Sequence, residues 1–444
     1  LSATIHFLTP ESKEIIHKSS LDILENTGIS VKNEEALNLL RQAGCKINSD
    51  LVTIPSDIVK KSLETLPSEF RLYSRDGNES YLIGHDKVIF NPGSSSLNII
   101  DSETNLVRHA LTRDLVDLSL LVDKLEFIQM QSTALVPSDV PQHIQDSYRL
   151  YVLLKNSNKP IITGAFTKQS FFDMTQMLKI IAGGLDHLKE NPRAIFDCCP
   201  VSPLTWGDAT CQNLIDCSRY SIPAEIIPAP QIGATSPITL TGTIIQTNAE
   251  FLSGVVISQL ANEGARLVYG SAPLTFDMQF CTGRVGAIET IMTACASAEM
   301  GKFYHIPTHA YLGVSDSNVL DSQSGFETAF GITLGVLAKI NIISGPGMLA
   351  SLNSQSLEKL VIDNELCGAA YRLLQGVNDD TISSDVDVIN KVGSGGHYIG
   401  EKQTRENLTK KHLIPSLVIS RLTTETWYKE GRKDIQERAR ERVR

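Results

Sequence analysis

Few cysteines, few aromatics, no surplus of basic residues and no long apolar run set the outer limits of this sequence. Only eight cysteines occur in 444 residues, none in a Cys-x-x-Cys pair, and Cys198 and Cys199 are adjacent. Adjacent cysteines are poorly placed to bridge each other, so reduced thiols and a cytoplasmic home are expected. Lys and Arg number 40 against 50 Asp and Glu, a net charge of −10. Neutralising phosphates takes clustered cations, so no nucleic-acid partner is expected. No apolar stretch reaches the roughly 18 to 20 residues of a membrane helix, so no membrane association is expected. The start, Leu1-Ser2-Ala3-Thr4, has neither the basic nor the apolar part of a secretory signal. It also lacks an initiator Met, which leaves processing or truncation open. A Gly-x-Gly-x-x-Gly after a first strand is missing, which weighs against an open dinucleotide-binding sheet. A Gly-x-Ser-x-Gly strand-to-helix elbow is missing too.

What is present is 42% apolar and 20% charged, an ordinary globular balance. Thr9-Pro10 starts a helix that Gly28 ends, a second runs from Asn33 to Gly44, and a third begins near Pro55. Between Phe70 and Arg108, extended pieces at 70–73, 87–90 and 97–100 suggest a small antiparallel sheet. From Thr112 onward, apolar β-rich segments alternate with helical stretches. They lie at 127–131, 160–164, 193–198, 224–228, 266–270, 303–307, 340–345 and, less clearly, 387–392. Continuous apolar strands alternating with helices imply parallel strands buried on both faces, and eight units make a closed (β/α)₈, or TIM, barrel. The expected organisation is an α/β protein with a mixed α/β extension at 1–111 packed on the barrel. The barrel and a C-terminal helix around Trp427 fill 112–444.

Barrel active sites are built after the strands, and those positions direct the search for chemistry. His305 and His309 form a His-x-x-x-His pair, but Pro307 separates them on an extended segment and no third ligand is near, so no metal is expected. Cys198 and Cys199 end a strand, where buried thiols are commonly inert packing. The run Gly393-Ser394-Gly395-Gly396 is placed to grip a phosphate after the last strand, and His397 and Tyr398, just beyond it, are equally suited to an amine. Phe166, Trp206, Tyr269, His309, Tyr311, His397 and Tyr398 could share one mouth, where aromatic faces attract a quaternary ammonium ion. Asp277, Glu289, Asp316, Asp321, Gln323 and Glu327 could add hydrogen bonds or a negative field; their ordinary alternative is capping and surface charge.

Several segments together resemble the trimethylamine:corrinoid methyltransferase family. They are Leu8-Thr9-Pro10-Glu11, Gly233-Ala234-Thr235-Ser236-Pro237-Ile238-Thr239-Leu240-Thr241-Gly242 and Asn248-Ala249-Glu250. Others are Tyr269-Gly270-Ser271 with Asp277-Met278, Asp321 to Glu327, Gly395 to Tyr398 and Trp427 to Gly431. The likeness covers essentially the whole chain. It implies a TIM barrel that moves a methyl group from an amine to the cobalt of a corrinoid carried by a separate protein docked at the barrel mouth. No tightly bound cofactor is expected. The family's founding members carry pyrrolysine in the mouth, whereas this chain has only standard residues. That is similar to the branch acting on quaternary amines such as glycine betaine. A quaternary amine already has a neutral leaving group, so positioning and desolvation suffice. His397 and His309 are expected in the catalytic positions, and Tyr311, Tyr269, Gln323, Trp206, Phe166, Tyr398 and Asp277 around the substrate. Arg284, either histidine or backbone amides could hold a substrate carboxylate. Two alternatives remain: a corrinoid-independent lyase using the 393–396 loop, and a non-catalytic amine-binding protein. A homo-oligomer is left open.

Overall fold

A computed structural model describes residues 3–93, 95–377 and 382–444; Leu1 and Ser2 of the start discussed above lie outside them. Among the described residues, eight short parallel strands form one sheet. They are β1 (Ile89–Asn91), β2 (Gln131–Ser132), β3 (Ile161–Thr163), β4 (Ala194–Cys198), β5 (Ala224–Ile226), β6 (Leu267–Ser271), β7 (Thr308–Tyr311) and β8 (Ile342–Ser344). The order in the sheet is β1-β8-β7-β6-β5-β4-β3-β2. The Gln129 and Met130 N–H groups donate to Phe90 O at 3.1 and 3.2 Å, and Ser95 N–H to Thr133 O at 3.2 Å, which closes β1 onto β2. One helix follows each strand: α1 (Thr112–Lys124), α2 (Gln145–Asn156), α3 (Lys168–Ala182), α4 (Asp208–Tyr220), α5 (Leu240–Ala261), α6 (Ile288–Phe303), α7 (Ser322–Leu337) and α8 (Leu357–Leu374). This is the expected (β/α)₈ barrel.

Its frame is shifted by one repeat from the sequence-based expectation. The segment 87–90, assigned to the 1–111 extension, supplies β1, and the barrel's first helix starts at Thr112. The segment 387–392, expected as the eighth strand, belongs to the helix Ile382–Val392. Ile382, Val386 and Ile389 recur there at helical spacing, a period that outweighs the short apolar run. The piece expected at 303–307 is the end of α6 and a turn, and the strand follows at Thr308.

Alternation along the strands sorts the core. Ile89, Met130, Ile162, Ile195, Val268 and Ile342 point into the barrel and form its apolar base. They pack on Phe70, Leu72 and Ile83 of an antiparallel hairpin, Glu69–Tyr73 with Ser80–Gly84, that plugs the end opposite the mouth. Outside the barrel, Thr9 caps the helix Pro10–Asp22 through Ser12 N–H at 3.1 Å, and Asn33 caps Glu34–Gln42 through Ala36 N–H at 2.9 Å. Gly28 ends the first helical stretch at φ +77°, and a Cβ there would meet Val52 O at 2.5 Å. These helices, with Ser56–Glu64, cover α5 from outside. Covered on both sides, α5 is buried nearly all round, polar side chains such as Thr247, Asn248, Glu250 and Ser253 included. At the other end of the chain, Ile435–Val443 packs along α8, with Ala439 buried and Arg440 paired to Glu358 at 3.4 Å. Among the described residues, no helix is long and apolar enough to cross a membrane.

Candidate active site

Toward the C-terminal ends of the strands the barrel interior turns from apolar to ionisable. Glu225 on β5 and His309 on β7 are fully buried and joined by a short hydrogen bond between Oε1 and Nδ1. His309 Nε2 lies 2.6 Å from Ser344 Oγ, which donates to Asn91 Oδ1 at 2.9 Å, so the chain crosses from β5 through β7 and β8 to β1. Burial pushes the Glu225 carboxyl well above the usual range and the His309 imidazole down to about 4. Both groups are then uncharged. The Glu225 O–H donates to Nδ1, and the Nε2–H of His309 donates to Ser344. Beside them Asp197 on β4, in register with Glu225, is pushed well above the carboxylate range, first by burial and then by the neighbouring Glu225 carboxyl. Asp197 Oδ1, Glu225 Oε2 and Asn91 Nδ2 are buried without a hydrogen-bond partner.

Gly270 on β6 makes room for this floor. A Cβ there would overlap Glu225 Oε1 and lie 2.7 Å from Ile227 Cβ and 2.9 Å from Ile226 O. Gly270→Ala is therefore expected to cost about 1–3 kcal/mol of stability by overpacking. A shift in the urea midpoint with unchanged slope measures it.

Above the floor, the loops build two small sheets of their own. After β5 and β6, Gln231–Ile232 pairs in parallel with Leu274–Asp277, which pairs antiparallel with Thr282–Arg284. After β8 and β1, Met348–Leu349, Ser354–Gln355, Asn98–Ile100 and Val107–His109 form the other. The β7–α7 loop completes a cavity of about 1020 Å³ whose polar lining includes Arg284, Asp316, Gln323, Glu327, Gln231 and Asn353. Leu274 and Leu352, also in its lining, pack with Tyr311 against Val285, Val314 and Met348.

Each charged group of this cavity has a fixed place. Asp316 accepts from Val285 N–H at 2.8 Å, Gly286 N–H at 3.0 Å and Ser351 Oγ at 2.7 Å. Glu327 accepts from Ser315 Oγ at 2.6 Å, Asp316 N–H at 2.8 Å and Gln323 Nε2 at 2.9 Å. Arg284 pairs with Asp277, and its carbonyl accepts from Thr290 Oγ1 at 2.8 Å. Behind the wall, buried Lys359 donates to Gly313 O at 3.3 Å, Thr328 Oγ1 at 2.9 Å and Asp363 Oδ2 at 2.6 Å, while Asp363 accepts from Gly347 N–H at 2.7 Å. The loops after β7 and β8 are thereby tied to α7 and α8.

The sequence-derived residues divide sharply. His309 lies in the floor with the Tyr311 ring 5.0 Å from its own, and Gln323 lines the cavity. Asp277 reaches the cavity through Arg284. Phe166 is an exposed rim residue after β3, its ring 5.4 Å from the Arg149 guanidinium. Tyr269 points the other way. It is one residue out of phase with inward Gly270, stacks on Phe251 at 4.2 Å and donates to Asn248 Oδ1 at 3.2 Å. Trp206 pairs in a strand with Val31 of the extension and donates to Ser253 on α5 at 2.9 Å, so it belongs to the outer layer. His397, Tyr398 and the 393–396 glycines are exposed and follow the helix Ile382–Val392 rather than β8, so the barrel-strand argument for an amine or phosphate site there is lost. His305 is exposed at the turn before β7. Asp321 caps α7, and Glu289 is exposed on the first turn of α6. Asp197 and Glu225 went unremarked, although a lone carboxylate in an apolar strand is itself a signal. Among the described residues, no three His, Cys, Asp or Glu side chains are grouped to hold a metal ion.

Comparison with known proteins adds the family. The trimethylamine methyltransferase (MTTB) family matches residues 2–444. The chain is 30% identical over 430 residues to the trimethylamine methyltransferase MttB of Desulfitobacterium hafniense, covering 96% of this chain and 86% of that protein. It is 29% identical to the glycine betaine methyltransferase of another strain of that species, covering 96% and 89%. Among solved structures, the Methanosarcina barkeri monomethylamine methyltransferase shares the fold, with a TM-score of 0.54 at 13% identity over 98% of this chain and 92% of that one.

Proposed function

Because this chain belongs to the trimethylamine methyltransferase (MTTB) family and is a methyltransferase, we propose that it moves a methyl group from a betaine-class quaternary amine to the Co(I) of a corrinoid. The corrinoid is a substrate carried by a separate protein that docks at the mouth, and the reaction runs in the cytoplasm. One observation carries the substrate class: a single cavity at the mouth holds the Arg284 guanidinium together with the Asp316 and Glu327 carboxylates. A betaine is a zwitterion and needs both signs of charge. Its quaternary nitrogen donates no hydrogen bond, so it asks for negative field rather than a free acceptor. Asp316 and Glu327, already saturated by protein donors, supply field of that kind. The planar fork of Arg284 suits the substrate's carboxylate.

With the zwitterion held at both ends, one methyl can be presented to the open side of the mouth. Co(I) attacks that carbon in line, the C–N electrons stay on nitrogen, and a neutral tertiary amine departs. Toward the donor, the chain's part is orientation and the exclusion of water. All 444 residues are standard, so nothing here activates the nitrogen covalently. Purified enzyme mixed with a reduced corrinoid protein should generate methyl-cobalamin absorbance with glycine betaine or carnitine. Transfer from trimethylamine alone would overturn the betaine class.

A further inference from the structure

We propose that Asp197 is the acid that captures the departing amine, with Glu225 beside it and His309 behind. This rests on the methyl-transfer reading above. The donor and the product differ at one atom: a quaternary nitrogen has no lone pair, whereas the tertiary amine left behind has one. A proton donor in the mouth is therefore blind to the substrate and engages only the product.

Asp197 sits in the barrel floor, beneath the loops that build the cavity. Its side chain belongs to the inward, ionisable layer, and unlike Glu225 and His309 it is partly open to solvent. Gly164, just past the neighbouring strand, leaves it uncovered, since a Cβ there would come into van der Waals contact at 3.7 Å from Asp197 Cβ. Its buried Oδ1 has no partner, and the same holds for Glu225 Oε2 on the adjacent strand. The other groups bearing on it are His309 from β7 and Arg149 from α2, the latter held by Asp146 at 3.1 Å, with the Cys198 and Cys199 thiols on its own segment. Arg149 bears on Asp197 alone of the two carboxyls, while burial raises both well above their usual range and so favours their protonated forms.

In the step, the C–N bond breaks and its electron pair stays on nitrogen. Cobalt contributes the pair for the Co–C bond and passes from Co(I) to Co(III). The Asp197 proton moves to the amine nitrogen as its lone pair emerges, leaving a carboxylate beside a trialkylammonium. Solvent reprotonates Asp197 after release. The protonated amine has no lone pair with which to attack the methyl-cobalt product, so the transfer does not run backward.

The test compares glycine betaine with its sulfonium counterpart, dimethylsulfonioacetate, whose thioether leaving group is not basic and needs no proton. Asp197→Asn should slow methylation of a Co(I) corrinoid protein by betaine at least 100-fold, in line with general acid catalysis, and leave the sulfonium rate within about twofold of wild type. Equal loss with both donors, or no loss with betaine, overturns the acid role. If wild type rejects the sulfonium, the pH profile decides: betaine transfer must fall with rising pH in wild type and be flat in Asp197→Asn. Glu225→Gln should shift that fall to another pH, which keeps the test intact if Asp197→Asn does not fold; an unshifted profile counts against Asp197 as the titrating acid. Wild type inactive with every donor removes the function itself, and the acid with it.

Discussion

The Lys359→Met enzyme is expected to unfold with about 3–5 kcal/mol less free energy than the native chain. Lys359 is 1% exposed and its partner Asp363 3% exposed, so removing the ammonium strands a carboxyl in the interior. Three acceptors lose their donor at once: Asp363, Thr328 Oγ1 and the Gly313 carbonyl. The loss depends on pH in a definite direction. Burial already raises the Asp363 carboxyl, and Lys359 opposes that rise. Without Lys359 the folded-state value climbs further above the unfolded one, so the folded variant binds the extra proton. Stability conferred by that proton is complete below the unfolded value near 3.9 and is lost as pH rises through the folded value. The deficit should thus shrink between pH 7 and pH 5, as read by urea unfolding. Equal deficits at both pH values would contradict it. The double replacement Lys359→Met with Asp363→Leu should recover most of the loss, because neither charge is then left alone.

Arg284→Gln should separate donors by their anionic end. A charged hydrogen bond contributes about 1.5–3 kcal/mol, and the half-exposed Arg284 belongs at the lower end, so kcat/KM for glycine betaine should fall about tenfold. Choline, which has the ammonium but no carboxylate, should compete for the site equally well in variant and wild type. A matching loss of choline binding would show that Arg284 shapes the cavity rather than reading the carboxylate. The fold should be intact, since Arg284 is exposed and the backbone of its segment is held by Asp316 and Thr290.

The barrel was legible because the interiors of its strands are continuous apolar runs, as at Ile161-Ile162 and Leu267-Val268. Its frame was less so. Ile89-Phe90-Asn91 stands about 20 residues ahead of its helix, and the intervening hairpin looked like part of a separate sheet. The site is a problem of parity. In a strand one step exchanges inside for outside, so Tyr269 and Gly270 cannot both face the mouth, and sequence alone favoured the aromatic residue. The cavity walls were illegible for another reason. Pairings two to four residues long, such as Gln231–Ile232 with Leu274–Asp277, carry no period to detect. Asp316, Gln323 and Glu327 could be singled out by chemistry alone, and Arg284 as a carboxylate holder, yet the structure was needed to bring them together.

The hairpin Glu69–Gly84 makes the barrel a vessel with one opening. Phe70, Leu72 and Ile83 stopper its base against six inward side chains, so nothing the size of an amine passes through from below. On the proposed reaction, donor and acceptor would share that doorway, and a protein broad enough to cover the mouth would shut it for the small molecule. The amine has to be aboard first, and its remnant can leave only when the larger visitor withdraws. Turnover then becomes a matter of queueing, set by the residence time of the partner as much as by the chemistry beneath it.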